Sequence, residues 1–200
     1  QRAFRTETER CNLLSIPNLV FHPGSHVGSG ADAGMKRIAR NMNRVLDQVT
    51  DNSVTLCLEA TAGTGDNLGR TFEELAQIID LIDDTEHVGV CLDTCHIFAA
   101  GYGLRDEGEY KQTMKEFGSV VGFDKLRIVH VNDSKTEQGS HRDRHEHIGE
   151  GCIGLDGFHH LVNDRRLRKV PLILETPKSN DLSEDVTNLK LLRSLMRKAP

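Results

Sequence analysis

Five short apolar segments recur along the chain, each ending in a residue able to bind a metal. No other feature limits the fold as tightly. They are "NLVFH" ending at His22, "VTLCLE" ending at Glu59, "VGVCLD" ending at Asp93, "LRIVH" ending at His130 and "VPLILE" ending at Glu175. Each is strand-length and nearly continuous in its hydrophobicity, the pattern of a strand buried on both faces in a parallel sheet. A turn-rich stretch follows each one: "PGSHVGSG", "ATAGTGDNLG", "TCHIFAAGYG", "VNDSKTEQGS" and "TPKSND". Helical patterns lie between them. "MKRIARNMNRVLDQV" sets Ile38, Met42, Val45, Leu46 and Val49 on one face, and "TFEELAQIIDLI" does the same with Phe72, Leu75, Ile79 and Ile82. "YKQTMKEFGSVV", "DGFHHLVND" and "SEDVTNLKLLRSLM" are similar.

The marked ends are 37, 34, 37 and 45 residues apart. A strand-loop-helix unit repeated at that spacing predicts a parallel sheet with right-handed crossovers. Strand ends that converge on one face predict an α/β barrel whose site sits at the C-terminal ends of its strands. Residues two before each polar end point the same way. They are Val20, Cys57, Cys91, Ile128 and Ile173, and they form the expected interior layer. Cys57 and Cys91 therefore read as core fillers, the usual role of a buried free thiol. Cys95 lies past its strand end, and its role stays open.

Composition agrees with one core-forming domain: 200 residues, 37% hydrophobic and 28% charged. The apolar runs fall far short of the ~20 residues of a membrane helix, so no membrane partner is expected. Five cysteines in no regular framework argue against a disulfide scaffold. The opening "QRAFRTETERCNLL" begins with Gln and lacks the apolar segment of a signal peptide. An intracellular chain is expected, or one that starts partway through a longer protein. A net charge of -5 counts against bulk nucleic-acid affinity. Bound cations can still supply positive charge locally.

Beyond the strand ends, His96 lies three residues after Asp93, in the following loop. Residues 141–151 read "HRDRHEHIGEG", in which Asp143, His145 and His147 alternate. If locally extended, that segment points all three to one side. Any one of these residues alone reads as a hydrogen-bonded loop residue or a solvated charge. Five buried strands all ending in His, Asp or Glu read differently, because carboxylates facing one mouth without partners are costly and imply cations between them. Mixed imidazole and carboxylate donors suit zinc, manganese or iron better than magnesium. His26, His141 and His147 individually read as loop residues, and His87, His159 and His160 as helix-surface residues. There are more donors than one ion can use. Clustered divalent ions suit phosphodiester hydrolysis.

The motifs "FHPGSH", "LEATAG" with "NLG", "VGVCLDTCH" with "FAAGY", "HVNDSK", "DRHEHIGEG.IG" (the dot standing for Cys152) and "PLILET" come in one order over nearly the whole chain. In them the sequence resembles the endonuclease IV family of apurinic/apyrimidinic endonucleases. The resemblance implies a (β/α)8 TIM barrel with three zinc ions at its mouth, manganese substituting in part. His22 and Glu59 would bind the first zinc. Glu59 would bridge to a second held by Asp93, His130 and Glu175. His96, Asp143 and His145 would hold the third. Glu59 and Glu175 would be the catalytic carboxylates. Lys135, Arg142 and Arg144 flank the third-zinc loop and read either as contacts to DNA phosphates or as solvated charges.

The implied reaction is base-excision repair of duplex DNA. It hydrolyses the phosphodiester 5′ to an abasic site, leaving a 3′-hydroxyl and a 5′-deoxyribose phosphate, with 3′-diesterase trimming alongside. The partner is double-stranded DNA carrying abasic sites, and the full-length protein is expected to be a monomer. By the same comparison residues 1–200 form one partial domain carrying the last five βα units. Residues 1–14 would be the helix after the family's third strand. The first three strands, and a further first-zinc histidine, would lie upstream. Two alternatives stand: a metal-dependent sugar isomerase or epimerase on a related barrel, and an inactive metal-binding fragment.

Overall fold

Val88–Asp93 is buried at all six of its positions, as a strand covered on both faces must be. It lies at the centre of the sheet, and the rest of the chain is arranged around it. The computed structural model describes residues 2–49 and 53–197. In chain order the elements are α1 (Arg2–Leu13), β1 (Asn18–Phe21), α2 (Ala31–Gln48), β2 (Thr55–Glu59), α3 (Phe72–Asp80), β3 (Val88–Asp93), α4 (Thr94–Ala100), α5 (Glu107–Val120), β4 (Leu126–His130), β5 (Asp133–Ser134), β6 (His145–Glu146), α6 (Gly154–Val162), β7 (Leu172–Ile173) and α7 (Ser183–Leu195). The five-stranded sheet runs β1-β2-β3-β4-β7. Every pairing in it is parallel. Helical crossovers join neighbours in sequence order, which makes the sheet an open section of a TIM barrel.

Side-chain alternation separates two layers. Leu56, Leu58, Val88, Val90, Leu92 and Val129 face outward and join one core with Met42, Phe72, Leu75, Ile78 and Phe117 from the helices. Cys57, Cys91 and Ile128 face inward and form a second, smaller cluster with Val20 against it. This is the interior layer expected beneath the site, so Cys57 and Cys91 do fill core. Each apolar side chain buried in the outer layer contributes about 1.5–3 kcal/mol. Caps define where the helices begin. Thr71 Oγ1 accepts from the Glu74 N–H at 3.2 Å at the start of α3. Asp106 Oδ1 accepts from the Glu109 N–H at 2.9 Å at the start of α5.

The structure corrects the sequence reading at three places. Leu172 and Ile173 are 39% and 43% exposed rather than buried on both faces, so Ile173 does not complete the interior layer. Among the described residues β7 pairs only with β4 and β1 only with β2, so a margin strand buries only what its single neighbour covers. The stretch beginning "TCHIFAA" is a helix, not a loop, so His96 is helical. Asp93 caps it, and Gly101 at φ 122° ends it. His87 sits in the turn before β3, hydrogen-bonded to Asp84 at 2.7 Å, rather than on a helix. His147, read individually as a loop residue, is one: it stays apart from Asp143 and His145 and turns toward α7, its Nδ1 3.2 Å from Asn188 Nδ2.

Candidate metal centre

Glu59, Asp93 and His130 are the last residues of β2, β3 and β4. His22 follows β1, and Glu175 lies two residues beyond β7. Parallel register sets Asp93 opposite His130 on adjacent strands. α4 begins directly after Asp93, which brings His96 back over the strand ends. Its backbone N–H donates to Asp93 Oδ1 at 2.9 Å. The long excursion after β4 folds into the antiparallel ribbon of β5 and β6, which places His145 opposite Ser134.

The eight strand-end and loop residues converge. Glu59 Oε2 lies 3.2 Å from His22 Nε2. Glu59 Oε1 lies 2.9 Å from His130 Nδ1 and 3.5 Å from His96 Nδ1. Glu175 Oε2 approaches His130 Nδ1 at 3.0 Å. Asp143 meets His96 Nε2 at 3.2 Å and His145 Nε2 at 3.4 Å. Asp93 Oδ2 is 3.6 Å from His145 Nε2. Donor atoms of Glu59, Asp93, His130 and Glu175 all lie within 4.8 Å of one another, as do those of His22, Glu59 and His96 and those of Asp93, His96 and His145.

The donor set fits metal ions on two observations. First, His96 Nδ1 lies 3.0 Å from the Ala60 carbonyl and His145 Nδ1 lies 3.1 Å from the Glu175 carbonyl. A carbonyl only accepts, so each Nδ1 carries a proton and each Nε2 is the atom left to face a metal, the outer-shell arrangement of a ligating histidine. Those two Nε2 atoms face each other at 3.4 Å. Second, burial pushes the Asp93 carboxyl up although His96 and His145 stand beside it. A cation between them relieves that cost.

The remaining titrations show the same balance. Burial pushes Glu59 up, but hydrogen bonds from His130 and His22 outweigh it and hold the carboxyl at about 2. Burial lowers His96, but Asp93 and Asp143 outweigh it and raise the ring to about 9. His130 is raised too: burial opposes, while Cys91, Glu175 and Glu59 outweigh it. Cys57 and Cys91 are pushed up to about 12 and about 11, mainly by burial. Cys95 is fully buried and pushed up to about 12 by burial. In the metal-free protein all three are thiols at neutral pH.

The other sequence candidates divide by position. Arg144 lines an open cleft with His22, Thr61, Asn67, His96 and Asp143. Arg142 is exposed in the same loop. Lys135 is partly engaged, 3.7 Å from Glu146. His141 packs its Nδ1 3.0 Å from the Ala62 carbonyl, and His26 lies 3.6 Å from Asp66. Among the described residues no helix is long and apolar enough to cross a membrane.

Sequence reasoning passed over Asn132 and Thr94. Asn132 is fully buried; its amide donates to Asp93 Oδ2 at 2.6 Å and accepts from the Glu175 N–H at 2.8 Å. Thr94 Oγ1 donates to the Asn132 carbonyl at 2.6 Å and accepts from its N–H at 2.8 Å. The available signal was position alone, since polar residues just past a buried strand end lie under the site.

Residues 1–198 match a family described as the xylose isomerase-like TIM barrel. A probable endonuclease 4 of Chloroflexus aggregans is 49% identical over 195 residues, which cover 98% of this chain and 68% of that protein. A probable endonuclease 4 of Geobacter sulfurreducens is 46% identical over 98% of this chain and 66% of its own length. Among solved structures, endonuclease IV from Thermus thermophilus superposes with a TM-score of 0.80 at 35% identity, over 96% of this chain and 65% of that one. A D-tagatose 3-epimerase-like protein shares the fold, with a TM-score of 0.72 at 19% identity. The chain thus spans about two thirds of the length of the relatives it matches.

Proposed function

The chain belongs to the endonuclease IV family, and from that premise we propose that the protein is a metal-dependent nuclease of DNA base-excision repair. It hydrolyses the phosphodiester 5′ to an abasic site in duplex DNA and leaves a 3′-hydroxyl and a 5′-deoxyribose phosphate. One observation carries the reading: four carboxylates and four imidazoles from five strand ends and their loops meet at one mouth, with two imidazole Nε2 atoms opposed at 3.4 Å.

In this reading three divalent ions, zinc foremost, share the eight donors. His22 and Glu59 hold one. Glu59, Asp93, His130 and Glu175 hold a second. His96, Asp143 and His145 hold a third. When bound, the ions supply Lewis-acid polarisation of the phosphoryl oxygens and charge for the departing 3′ oxygen. The chain's own groups do the rest. Glu59, kept ionised by His130 and His22, and Glu175, 46% exposed at the mouth, accept hydrogen bonds from the attacking water and set its line of approach. Arg144 meets phosphate at the cleft wall, and the abasic nucleotide turns out of the stack into the mouth. The open margins of β1 and β7 pair with further strands that close the barrel.

Likeness to epimerases at 18–20% identity concerns the fold alone, and an epimerase has no use for the His96, Asp143 and His145 cluster. The test is incision of a duplex oligonucleotide carrying one abasic analogue by the zinc-loaded protein. A single cut 5′ to the lesion, abolished by chelation, is expected. Binding of three ions without any incision, by the chain or by a form extended upstream, would overturn the reading.

A further inference from the structure

Asp133 follows the site residues of β4 yet takes no part in the chemistry above. It is fully buried, and its carboxylate accepts five backbone N–H groups. Oδ1 takes Ser134 at 2.8 Å and Ile153 at 2.9 Å. Oδ2 takes Gly149 at 2.9 Å, Gly151 at 3.1 Å and Gly154 at 3.3 Å. Those donors lie at the two ends of the excursion that carries Asp143 and His145. The ribbon of β5 and β6 spans the same segment, with Lys135 N–H on the Arg144 carbonyl at 2.9 Å and Cys152 N–H on the Ser134 carbonyl at 2.7 Å.

The glycines of "IGEGCIG" follow from this carboxylate. A ring of backbone N–H groups closing on one anion needs left-handed corners, and Gly149 and Gly154 supply them at φ 81° and 76°. At Gly151 a Cβ would come within 2.5 Å of both the Ser134 carbonyl oxygen and Asp133 Oδ1. Only glycine lets that N–H approach.

We propose that Asp133 is a positioning residue: its carboxylate closes the 134–154 excursion and thereby holds Asp143 and His145 at the bonding geometry they show against His96. The inference rests on reading those three residues as the ligands of one metal. With its lone pairs engaged by five N–H groups and no exposure, Asp133 cannot itself touch substrate.

The experiment measures metal per chain by equilibrium dialysis and the visible spectrum of the cobalt-loaded protein, for wild type, Asp133→Asn, His145→Ala and the double variant. Asp133→Asn replaces one acceptor oxygen by a donor facing N–H groups. It is expected to weaken one metal equivalent by roughly 10–100-fold, the range for an outer-shell partner. The ions on Glu59, Asp93, His130 and Glu175 should stay bound. In the His145→Ala background Asp133→Asn should cause no further loss, which a general structural defect would not reproduce.

Unchanged metal content in Asp133→Asn, or equal weakening of every equivalent in a chain that keeps its circular dichroism, overturns the inference. If Asp133→Asn does not fold, Gly151→Ala decides. It crowds the same carboxylate together with the Ser134 carbonyl that the carboxylate's loop closes on, and should selectively lose the same equivalent; full metal content in Gly151→Ala overturns the proposal. A wild-type protein that takes up no ion on His96, Asp143 and His145 overturns the underlying metal assignment, and the inference with it.

Discussion

His96 and His145 point their Nε2 atoms at each other across 3.4 Å, while a backbone carbonyl binds the Nδ1 of each. Two lone pairs do not approach so closely without a proton or a cation between them. The metal-free protein must supply the proton.

That requirement has a consequence for stability. Among the forces on His96, burial lowers its proton affinity, but Asp93 and Asp143 outweigh it and raise the ring to about 9 from 6.5. A raised folded-state value contributes stability that is fully present below the unfolded value and lost as pH rises through the folded one. The metal-stripped protein should therefore lose thermal stability as pH rises from about 6.5 to about 9. The zinc-loaded protein should not, because the ring is then neutral and ligating. Calorimetric midpoints of both forms across that range check this; parallel curves would show that the imidazole proton is not the link.

Glu59→Gln keeps the shape of the side chain and removes the charge that faces His22, His96 and His130. Zinc content should fall by at least one equivalent. Incision should fall by about 100-fold or more, beyond the 10–100-fold typical of losing an outer-shell partner. Atomic emission and a single-turnover assay measure the two effects, and normal values of both would remove Glu59 from its bridging role.

Asn132→Ala should act without touching a metal. It leaves Asp93 Oδ2 and the Glu175 N–H without the partners they have at 2.6 and 2.8 Å. Leaving the fully buried Asp93 oxygen short of a partner costs about 1–3 kcal/mol. Urea denaturation should show a lower midpoint at unchanged slope. Zinc affinity should drop as well, because the Asp93 carboxylate loses the bond that orients it.

Arg144→Ala should raise KM with kcat little changed, since Arg144 lines the cleft but makes no hydrogen bond to a proposed ligand side chain. The slope of log affinity against log salt should shrink by about 1 if one phosphate contact is lost. Lys135→Ala should do less, because Lys135 already stands 3.7 Å from Glu146. A larger effect at Lys135 than at Arg144 would reverse the assignment of the cleft wall.

Much of this protein is already determined by its sequence. Continuous hydrophobicity marks the strands, helical spacing marks α2, α3, α5, α6 and α7, and the residue ending each strand names most of the convergent donors. Those features depend on short-range geometry, because a strand alternates its faces and a helix repeats its own whatever surrounds it. Tertiary structure decided the rest. Leu172 and Ile173 carry a buried-strand pattern but lie exposed at a margin with one neighbour. "TCHIFAA" follows a strand as a loop would, yet the Asp93 carboxylate caps it into a helix. His147 alternates with Asp143 and His145, but the chain bends after β6 and sends it to Asn188. Asn132 and Asp133 lie in the motif "HVNDSK", but the motif does not say what they do, because their roles are defined by partners up to 43 residues away. Periodicity is encoded locally in a chain; which groups meet across a fold depends on where long-range packing places them.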